Sequence, residues 1–171
     1  QNAVAVGEGA MAAILGADEA MITKIVAEAG DVGVVQLAND NAPAQIVISG
    51  SAGAVDRAME ISRDKGLRKV IKLPVSAPFH CDLMAPAAEA MAAALSDVSF
   101  ADAALPVICN VTASGEQKAD ALKANLITQI TGRVRWRESL MALDAAGAGV
   151  FVEIGTGKVL SGLVKRTLSD K

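Results

Sequence analysis

Residues 10–73 alternate between strand-type and helix-type patterns, and this alternation limits the possible folds more than any other feature of the chain. Short apolar or β-branched runs predict four strands, at 10–15, 34–38, 45–49 and 69–73. Apolar residues at helical spacing predict two helices, at 18–30 and 51–66. The resulting order, β-α-β-β-α-β, is that of a split βαβ or ferredoxin-like unit, in which two helices cover one face of a four-stranded antiparallel sheet.

Residues 74–171 carry more helix patterns than strand patterns. Helical spacing occurs at 84–95, 122–130, 136–143 and 158–168, whereas strand patterns occur only at 107–111 and 149–154. Two strands do not make an independently stable sheet. We therefore expect the rest of an α/β sheet to come from sequence outside this chain, and we interpret the chain, which starts with Gln1, as the C-terminal piece of a longer protein. Residues 1–9 would then be a linker; a processed mature protein is the alternative.

Composition and charge exclude several classes of function. The chain is 52% hydrophobic and 20% charged, which indicates a globular protein, and a net charge of −3 with 2% aromatic residues argues against nucleic-acid binding. No uncharged apolar run reaches about 18 residues, so we expect no membrane span. One histidine and two distant cysteines give no close set of metal ligands. Cys81 and Cys109 indicate reduced thiols in a cytosolic-type compartment.

His80 is the single histidine of the chain and the first candidate for proton transfer. Pro74 and Pro78 restrict the backbone just before it, and a helix is predicted just after it. The segment also lies at the junction of the two predicted units, where ligand clefts tend to form. The alternative is a structural histidine at a helix N-terminus. No Gly-x-Ser-x-Gly sequence occurs in the 171 residues, so the chain has a candidate base without the corresponding nucleophile.

Three other groups of residues have both a functional and a structural interpretation. Asn39 and Asn41 belong to a predicted loop that ends at Pro43, where asparagine is also a common turn residue. The Gly-Thr-Gly-Lys turn at 155–158 could offer free N–H groups to an anion, but it lacks the Walker A spacing and could equally serve tight packing. A basic group could dock an acidic partner or simply be solvated surface; it comprises Arg133, Arg135, Arg137, Lys165 and Arg166.

Four segments together resemble one enzyme family in order and spacing. They are the apolar strand at 9–16, the Asn-Asp-Asn-Ala-Pro-Ala-Gln loop and strand at 39–50, the Pro-Val-Ser-Ala-Pro-Phe-His-Cys-Asp-Leu-Met segment at 74–84, and the Glu-Ile-Gly-Thr-Gly-Lys turn and helix at 153–163. In these segments the chain resembles the malonyl-CoA:acyl carrier protein transacylases. The resemblance implies a two-domain enzyme with a ferredoxin-like small domain, here residues 10–75, inserted in an α/β-hydrolase-like large domain, of which residues 76–171 would be the C-terminal part.

The resemblance also implies a ping-pong acyl transfer in type II fatty-acid synthesis. A serine takes the malonyl group from malonyl-CoA and passes it to the phosphopantetheine thiol of acyl carrier protein, and no further cofactor is needed. His80 corresponds to the general base, and Gln129 corresponds to the position whose backbone carbonyl accepts a hydrogen bond from the imidazole. Asn39 and Asn41 correspond to polar positions lining the substrate cleft. Phe79 corresponds to a position where bulk favours malonyl over a methyl-branched group.

Several features of that family are absent from these residues. They are the serine elbow, the glutamine-containing oxyanion loop and the arginine that pairs with the malonyl carboxylate. We therefore expect the isolated chain to be inactive without the missing N-terminal segment, and the parent enzyme to act in the bacterial cytoplasm or an equivalent organelle matrix. The alternatives are a polyketide-type malonyl acyltransferase and a non-catalytic module that binds carrier protein.

Overall fold

Six elements between Gly9 and Lys72 build a four-stranded antiparallel sheet with two helices, in a computed structural model that describes residues 3–168. They are β1 (Gly9–Leu15), α1 (Glu19–Ala29), β2 (Val35–Ala42), β3 (Gln45–Ser51), α2 (Ala52–Asp64) and β4 (Lys69–Lys72). The strand order across the sheet is β2-β3-β1-β4. In the register, Ala12 of β1 lies opposite Ile48 of β3 on one side and Lys72 of β4 on the other. The observed order of elements is the β-α-β-β-α-β order predicted from the sequence.

Both helices lie on the same face of this sheet, as their apolar spacing predicts. Asp18 caps α1 by accepting a 2.8 Å hydrogen bond from the Met21 N–H, and Gly30 ends the helix. The spacing of Ile22, Ile25 and Ala29 puts these side chains on the sheet-facing side of α1. The main hydrophobic core forms between the helices and this face; its fully buried members include Ile14, Ile22, Ile25, Ile48 and Val55.

A smaller apolar cluster covers the opposite face of the sheet. Met11, Ala38 and Val47 are buried there, and Phe79 packs against them from the loop that follows β4. Gly9 allows the same loop to approach closely, because a Cβ atom at Gly9 would lie 2.4 Å from Pro78 Cδ. The loop that carries His80 is therefore packed directly against the sheet.

The second half of the chain is mainly helical. A short 3₁₀ turn (Asp82–Met84) leads into α3 (Ala85–Ser96), and a small hairpin follows, with strands β5 (Val107–Cys109) and β6 (Ser114–Glu116). The remaining elements are α4 (Ala119–Thr128), α5 (Trp136–Ala145) and α6 (Val159–Thr167). Within the described part of the chain, no helix is long and apolar enough to cross a membrane.

The strand predicted at 149–154 does not form. Val150 and Ile154 are 82% and 94% exposed, and residues 151–154 have no regular secondary structure. A strand needs a neighbour for its backbone hydrogen bonds, and among residues 3–168 no other strand pairs with this segment. The strand prediction at 107–111 was too long, because the strand stops at Cys109.

The predicted loop at 39–43 is also different in the structure. β2 continues to Ala42, with two irregularities in its register against β3, so Asn39 and Asn41 lie in a strand. The turn is confined to Pro43 and Ala44. Turn propensity is overridden here because the backbone of β2 has partners on both sides: β3 and, at Asn39, a parallel bridge to Val134.

The proposed linker at 1–9 has only a partial counterpart. Gln1 and Asn2 lie outside the described residues. Gly9 already belongs to β1, and the Glu8 carbonyl accepts a 2.8 Å hydrogen bond from the Ala52 N–H at the start of α2. The segment therefore makes ordered contacts with the sheet unit before β1 begins.

Candidate functional site

His80 lies between β4 and the 3₁₀ turn with a left-handed backbone conformation, at a φ of 60°. This conformation costs about 1–2 kcal/mol for a residue other than glycine, so the surrounding contacts must hold it. Cys81 provides one of them, because its buried Sγ donates a 3.1 Å hydrogen bond to the Pro78 carbonyl. Burial also raises the pKa of the Cys81 thiol, which makes it a poor thiolate nucleophile beside the histidine.

The His80 ring faces two backbone carbonyls through Nδ1. The distance from Nδ1 to the Gln129 oxygen is 2.9 Å, and to the Gly132 oxygen it is 3.2 Å. A carbonyl can only accept, so Nδ1 must carry the proton. In the neutral ring Nε2 then holds a lone pair, and it has no hydrogen-bond partner among the described residues. The ring is only half-buried, so Nε2 is the atom that can take a proton from another molecule.

The Gln129 carbonyl lies at the end of α4, and the Gly132 carbonyl lies in the turn that follows it. Gln129 is the C-terminal cap of this helix, and the chain then turns with the Gly132 N–H donating to the Thr128 carbonyl at 2.9 Å. The last carbonyls of a helix have no partner within the helix, and they form the negative end of its dipole. At Gln129 both effects favour a donating Nδ1–H.

The structure brings together two of the five residues selected from the sequence, His80 and Gln129. Asn39 approaches the same region through its backbone, which bridges to Val134, two residues after Gly132. Within residues 3–168 neither Asn39 nor Asn41 makes a side-chain hydrogen bond, and both side chains are half-buried. Phe79 points to the apolar cluster under the sheet. The substrate-binding roles of Asn39, Asn41 and Phe79 stay predictions.

Three arginines predicted as a solvated or docking surface are engaged in ion pairs inside the chain. Arg133 binds Glu19 at 2.6 Å and Glu138 at 2.9 Å, and Arg135 also binds Glu138. The Arg135 hydrogen bond is the main cause that lowers the pKa of Glu138 from 4.5 to about 2. These contacts join α1 to the start of α5, so a solvated surface is the wrong interpretation for this part of the basic group.

Arg137 completes the set with a buried partner. Its Nε lies 3.0 and 2.9 Å from the two carboxylate oxygens of Asp40, which is 2% exposed. This hydrogen bond raises the pKa of the Arg137 guanidinium. Lys165 is exposed, and Arg166 is hydrogen-bonded to the side chain of Gln45.

The helix N-terminus that follows the glycine-rich turn at 155–158 binds a carboxylate of the same chain. The Glu153 carboxylate accepts hydrogen bonds from Leu160 N at 3.1 Å, Ser161 N at 2.8 Å and Ser161 Oγ at 2.6 Å. The Ser161 hydroxyl is the main cause that lowers the pKa of Glu153. The start of α6 is therefore capped by Glu153, which argues against phosphate binding there. Tight packing is not seen either, because residues 155–158 are exposed and a Cβ atom at Gly155 or Gly157 would meet no atom within 4 Å. No group of three metal-ligating side chains exists between residues 3 and 168.

The fold and the His80 site agree with an acyl transferase. The family model described as "Acyl transferase domain" matches residues 2–171, so the chain belongs to this family. Among curated relatives, malonyl CoA-acyl carrier protein transacylase from Bacillus subtilis is 49% identical over 168 residues, which are 96% of this chain and 52% of the relative. The Escherichia coli K12 protein of the same name is 42% identical, over 97% of this chain and 54% of that protein.

Solved structures give the same result. The acyl-carrier-protein-S-malonyltransferase from Bartonella henselae superposes with a TM-score of 0.96 at 47% identity, covering 99% of this chain and 54% of that one. A malonyl-transacylase in complex with its type II PKS acyl-carrier protein gives a TM-score of 0.95 at 38% identity, covering 99% and 55%. These structures confirm the α/β fold class. The chain spans about half the length of the proteins it matches.

Sequence reasoning missed three contributors to the site. The Gly132 carbonyl is a second acceptor for His80, and no side-chain pattern could indicate it. Asp40 lies between Asn39 and Asn41 in the predicted loop, and the turn propensity of these asparagines gave no indication that Asp40 is the buried partner of Arg137. Gln36 is hydrogen-bonded to Asp82, two residues after His80, and this long-range pair has no local sequence signal.

Proposed function

We propose that the parent protein transfers a malonyl group from malonyl-CoA to the phosphopantetheine thiol of acyl carrier protein, with His80 as the general base. One observation carries this proposal: His80 Nδ1 is held by the carbonyls of Gln129 and Gly132, which leaves Nε2 free to accept a proton. This is the arrangement that a Ser-His acyl transfer needs, with carbonyls in place of the carboxylate that orients the histidine in proteases. The names of the relatives support the substrates.

In the first half-reaction, Nε2 takes the proton of a serine hydroxyl as its oxygen attacks the thioester carbon. The C–S bond breaks, and the coenzyme A thiolate leaves with the proton from His80. In the second half-reaction, Nε2 takes the proton of the pantetheine thiol, and the thiolate attacks the malonyl-serine ester. The ester C–O bond breaks, and the serine oxygen recovers the proton. The carbonyls of Gln129 and Gly132 stabilise the imidazolium that forms each time.

We propose a division of the chain to match this function. Residues 10–75 are a ferredoxin-like small domain, supported by the element order and the strand order β2-β3-β1-β4. Residues 76–171 are part of an α/β-hydrolase-like domain. The apolar, exposed segment at 149–154 supports this, because its sequence suits a buried strand of a larger sheet.

We also propose Asn39, Asn41 and Phe79 as residues near the substrate, and the acyl carrier protein as the partner. The position near the substrate is supported by the backbone bridge from Asn39 to Val134, which lies close in sequence to the carbonyls that face His80. Partner docking is supported by an open groove of ≈ 460 Å³ at one end of the sheet, where Arg68, Lys69 and Arg166 supply positive charge.

The test uses a chimera in which this chain replaces the matching 52% of the Bacillus subtilis relative. With labelled malonyl-CoA and carrier protein, we expect a malonyl-enzyme adduct and transfer to the carrier. His80→Ala should slow both half-reactions by at least about 10²-fold. The control is Arg57→Ala, which removes an exposed 3.4 Å ion pair to Glu60 on α2 and leaves the His80 contacts in place. Full-rate transfer by the His80→Ala chimera would reject the assignment of the base.

A polyketide-type malonyl acyltransferase is a second candidate, because one similar structure is a transacylase bound to a type II PKS carrier protein. The same chimera distinguishes the two when it is offered fatty-acid and polyketide carrier proteins in competition. A non-catalytic carrier-binding module predicts a different result: carrier binding without any transfer and no effect of His80→Ala.

A further inference from the structure

Strand β2 contacts both segments that the hydrogen bond between His80 and the Gln129 carbonyl joins. One of its side chains holds the loop that carries the histidine, and another holds the segment that carries the carbonyls. The two side chains are Gln36 and Asp40, and they reach residues 46 and 97 positions away in sequence.

On the histidine side, Gln36 forms a two-point contact with Asp82. The Gln36 Nε2 donates to Asp82 Oδ2 at 2.9 Å, and the Asp82 backbone N–H donates to Gln36 Oε1 at 2.7 Å. Asp82 is the first residue of the 3₁₀ turn and lies two residues after the left-handed His80. Because one of the two bonds goes to the main chain, the amide of Gln36 fixes the backbone position at which the loop leaves His80.

On the carbonyl side, Asp40 uses both its backbone and its side chain. The Asp40 N–H donates to the Val134 carbonyl at 2.8 Å, and the Val134 N–H donates to the Ala38 carbonyl at 2.8 Å. The buried Asp40 carboxylate binds Arg137 with two bonds from Nε, at 3.0 and 2.9 Å, and a contact of 2.8 Å from Nη2. Val134 is two residues after Gly132, so these contacts limit where the two carbonyls can lie.

We propose that β2 is the positioning strand of the candidate base: Gln36 and Asp40 together set the distance between His80 Nδ1 and its two carbonyl acceptors. The acceptors of His80 Nδ1 are distant in sequence: Gln129 is 49 residues after His80, and Gly132 is 52 residues after it. The geometry of this hydrogen bond therefore depends on an element that holds both segments in place, and β2 is hydrogen-bonded to both. Gln36 and Asp40 are positioning residues, since they act through His80 and not on the substrate.

The single histidine makes this inference directly measurable in the 171-residue chain. With ¹⁵N-labelled histidine, NMR distinguishes the Nδ1–H and Nε2–H tautomers of His80 at a pH where the titration shows a neutral ring. We expect the Nδ1–H tautomer to dominate in the wild-type chain. In Gln36→Ala, and separately in Asp40→Asn with Arg137→Gln, the ratio of Nδ1–H to Nε2–H should fall by at least about twofold, because the hydrogen bond that selects Nδ1–H is weakened.

The controls separate positioning from general destabilisation. Lys72→Ala removes an exposed 2.7 Å ion pair to Asp56 on the same sheet unit and should leave the tautomer ratio unchanged. If the double variant does not fold, Arg137→Lys replaces it, because lysine keeps the charge but loses the two-pronged contact. An unchanged ratio of Nδ1–H to Nε2–H in either the Gln36 variant or the Asp40–Arg137 variant overturns the inference. The inference requires that β2 holds both the His80 loop and the carbonyl segment.

The inference rests on the proposed function only where it concerns the rate of acyl transfer. In the chimera, Gln36→Ala should lower kcat by at least about twofold with little change in KM, since the hydrogen bonds at His80 Nδ1 are weakened. A tautomer shift without loss of transfer supports the positioning role but rejects its effect on the rate of acyl transfer. An unchanged tautomer together with a strong His80→Ala defect overturns the positioning role and leaves the proposed function standing.

Discussion

Glu138 gives a stability prediction that can be worked out from the structure. Its carboxylate is bound by both Arg133 and Arg135, its side chain is 29% exposed, and its pKa falls from 4.5 to about 2. This change corresponds to at most about 3.4 kcal/mol. Because the arginines are also partly solvated, we reduce the expected contribution to about 1–2 kcal/mol. The pKa is lower in the folded state, so the contribution is complete above pH 4.5 and is lost as the pH falls towards 2.

The assay is urea denaturation of the wild-type chain and Glu138→Gln across this pH range. At neutral pH the free energy of unfolding of Glu138→Gln should be about 1–2 kcal/mol lower than that of the wild-type chain. The difference should shrink below pH 4.5 and disappear near pH 2. Glu60→Gln is the matched control, because Glu60 pairs with Arg57 at 3.4 Å while its side chain is 63% exposed; its effect should stay below about 0.5 kcal/mol. A Glu138→Gln difference that is independent of pH would refute the reasoning.

Three further predictions concern packing and buried charge. Arg137→Ala should lower the free energy of unfolding by about 3–5 kcal/mol in urea denaturation, because Asp40 is 2% exposed and would lose its partner. The loss should be smaller in an Asp40→Asn background, and equal losses in the two backgrounds would contradict this prediction. Ile22→Ala should cost about 2–5 kcal/mol in the same assay, since Ile22 is fully buried against the sheet, and a cost typical of a surface site would contradict the core assignment. Gly50→Ala should lower the thermal midpoint strongly, because the new Cβ would lie 2.0 Å from the Val34 carbonyl oxygen, and a wild-type midpoint would show that the strands do not meet as described.

The four-stranded unit was predictable because its elements find their partners within about 65 residues of one another. Apolar spacing placed α1 and α2, and the Asp18 cap and the Gly30 stop were visible as residue types. The segment at 149–154 has an equally strong apolar pattern, yet it forms no strand. The pattern reports what a segment could bury, whereas a strand also requires a neighbouring strand to bond with.

The site was predictable only in part. His80 stood out as a single histidine after two prolines, and the position of Gln129 came from the family resemblance. Asn39 and Asn41 were assigned to a loop, because local turn propensity does not include the bonds that β2 makes with β3 and Val134. The role of Arg137 was hidden for the same reason. Its charge was visible in the sequence, but its buried partner at Asp40 is 97 residues away.

The position of His80 follows from how the two parts of the chain are joined. The main hydrophobic core is built by the sheet unit, while α3 and α4 bury no residue completely. Much of the connection from the sheet to the carbonyl segment is polar, through the bonds of Asp40 to Val134 and Arg137. Apolar packing is non-directional and tolerates small shifts, but a hydrogen bond to an imidazole weakens steeply with distance and angle. Directional contacts at this junction can therefore hold the His80 geometry where burial alone could not, and substitutions there should affect proton transfer as well as stability.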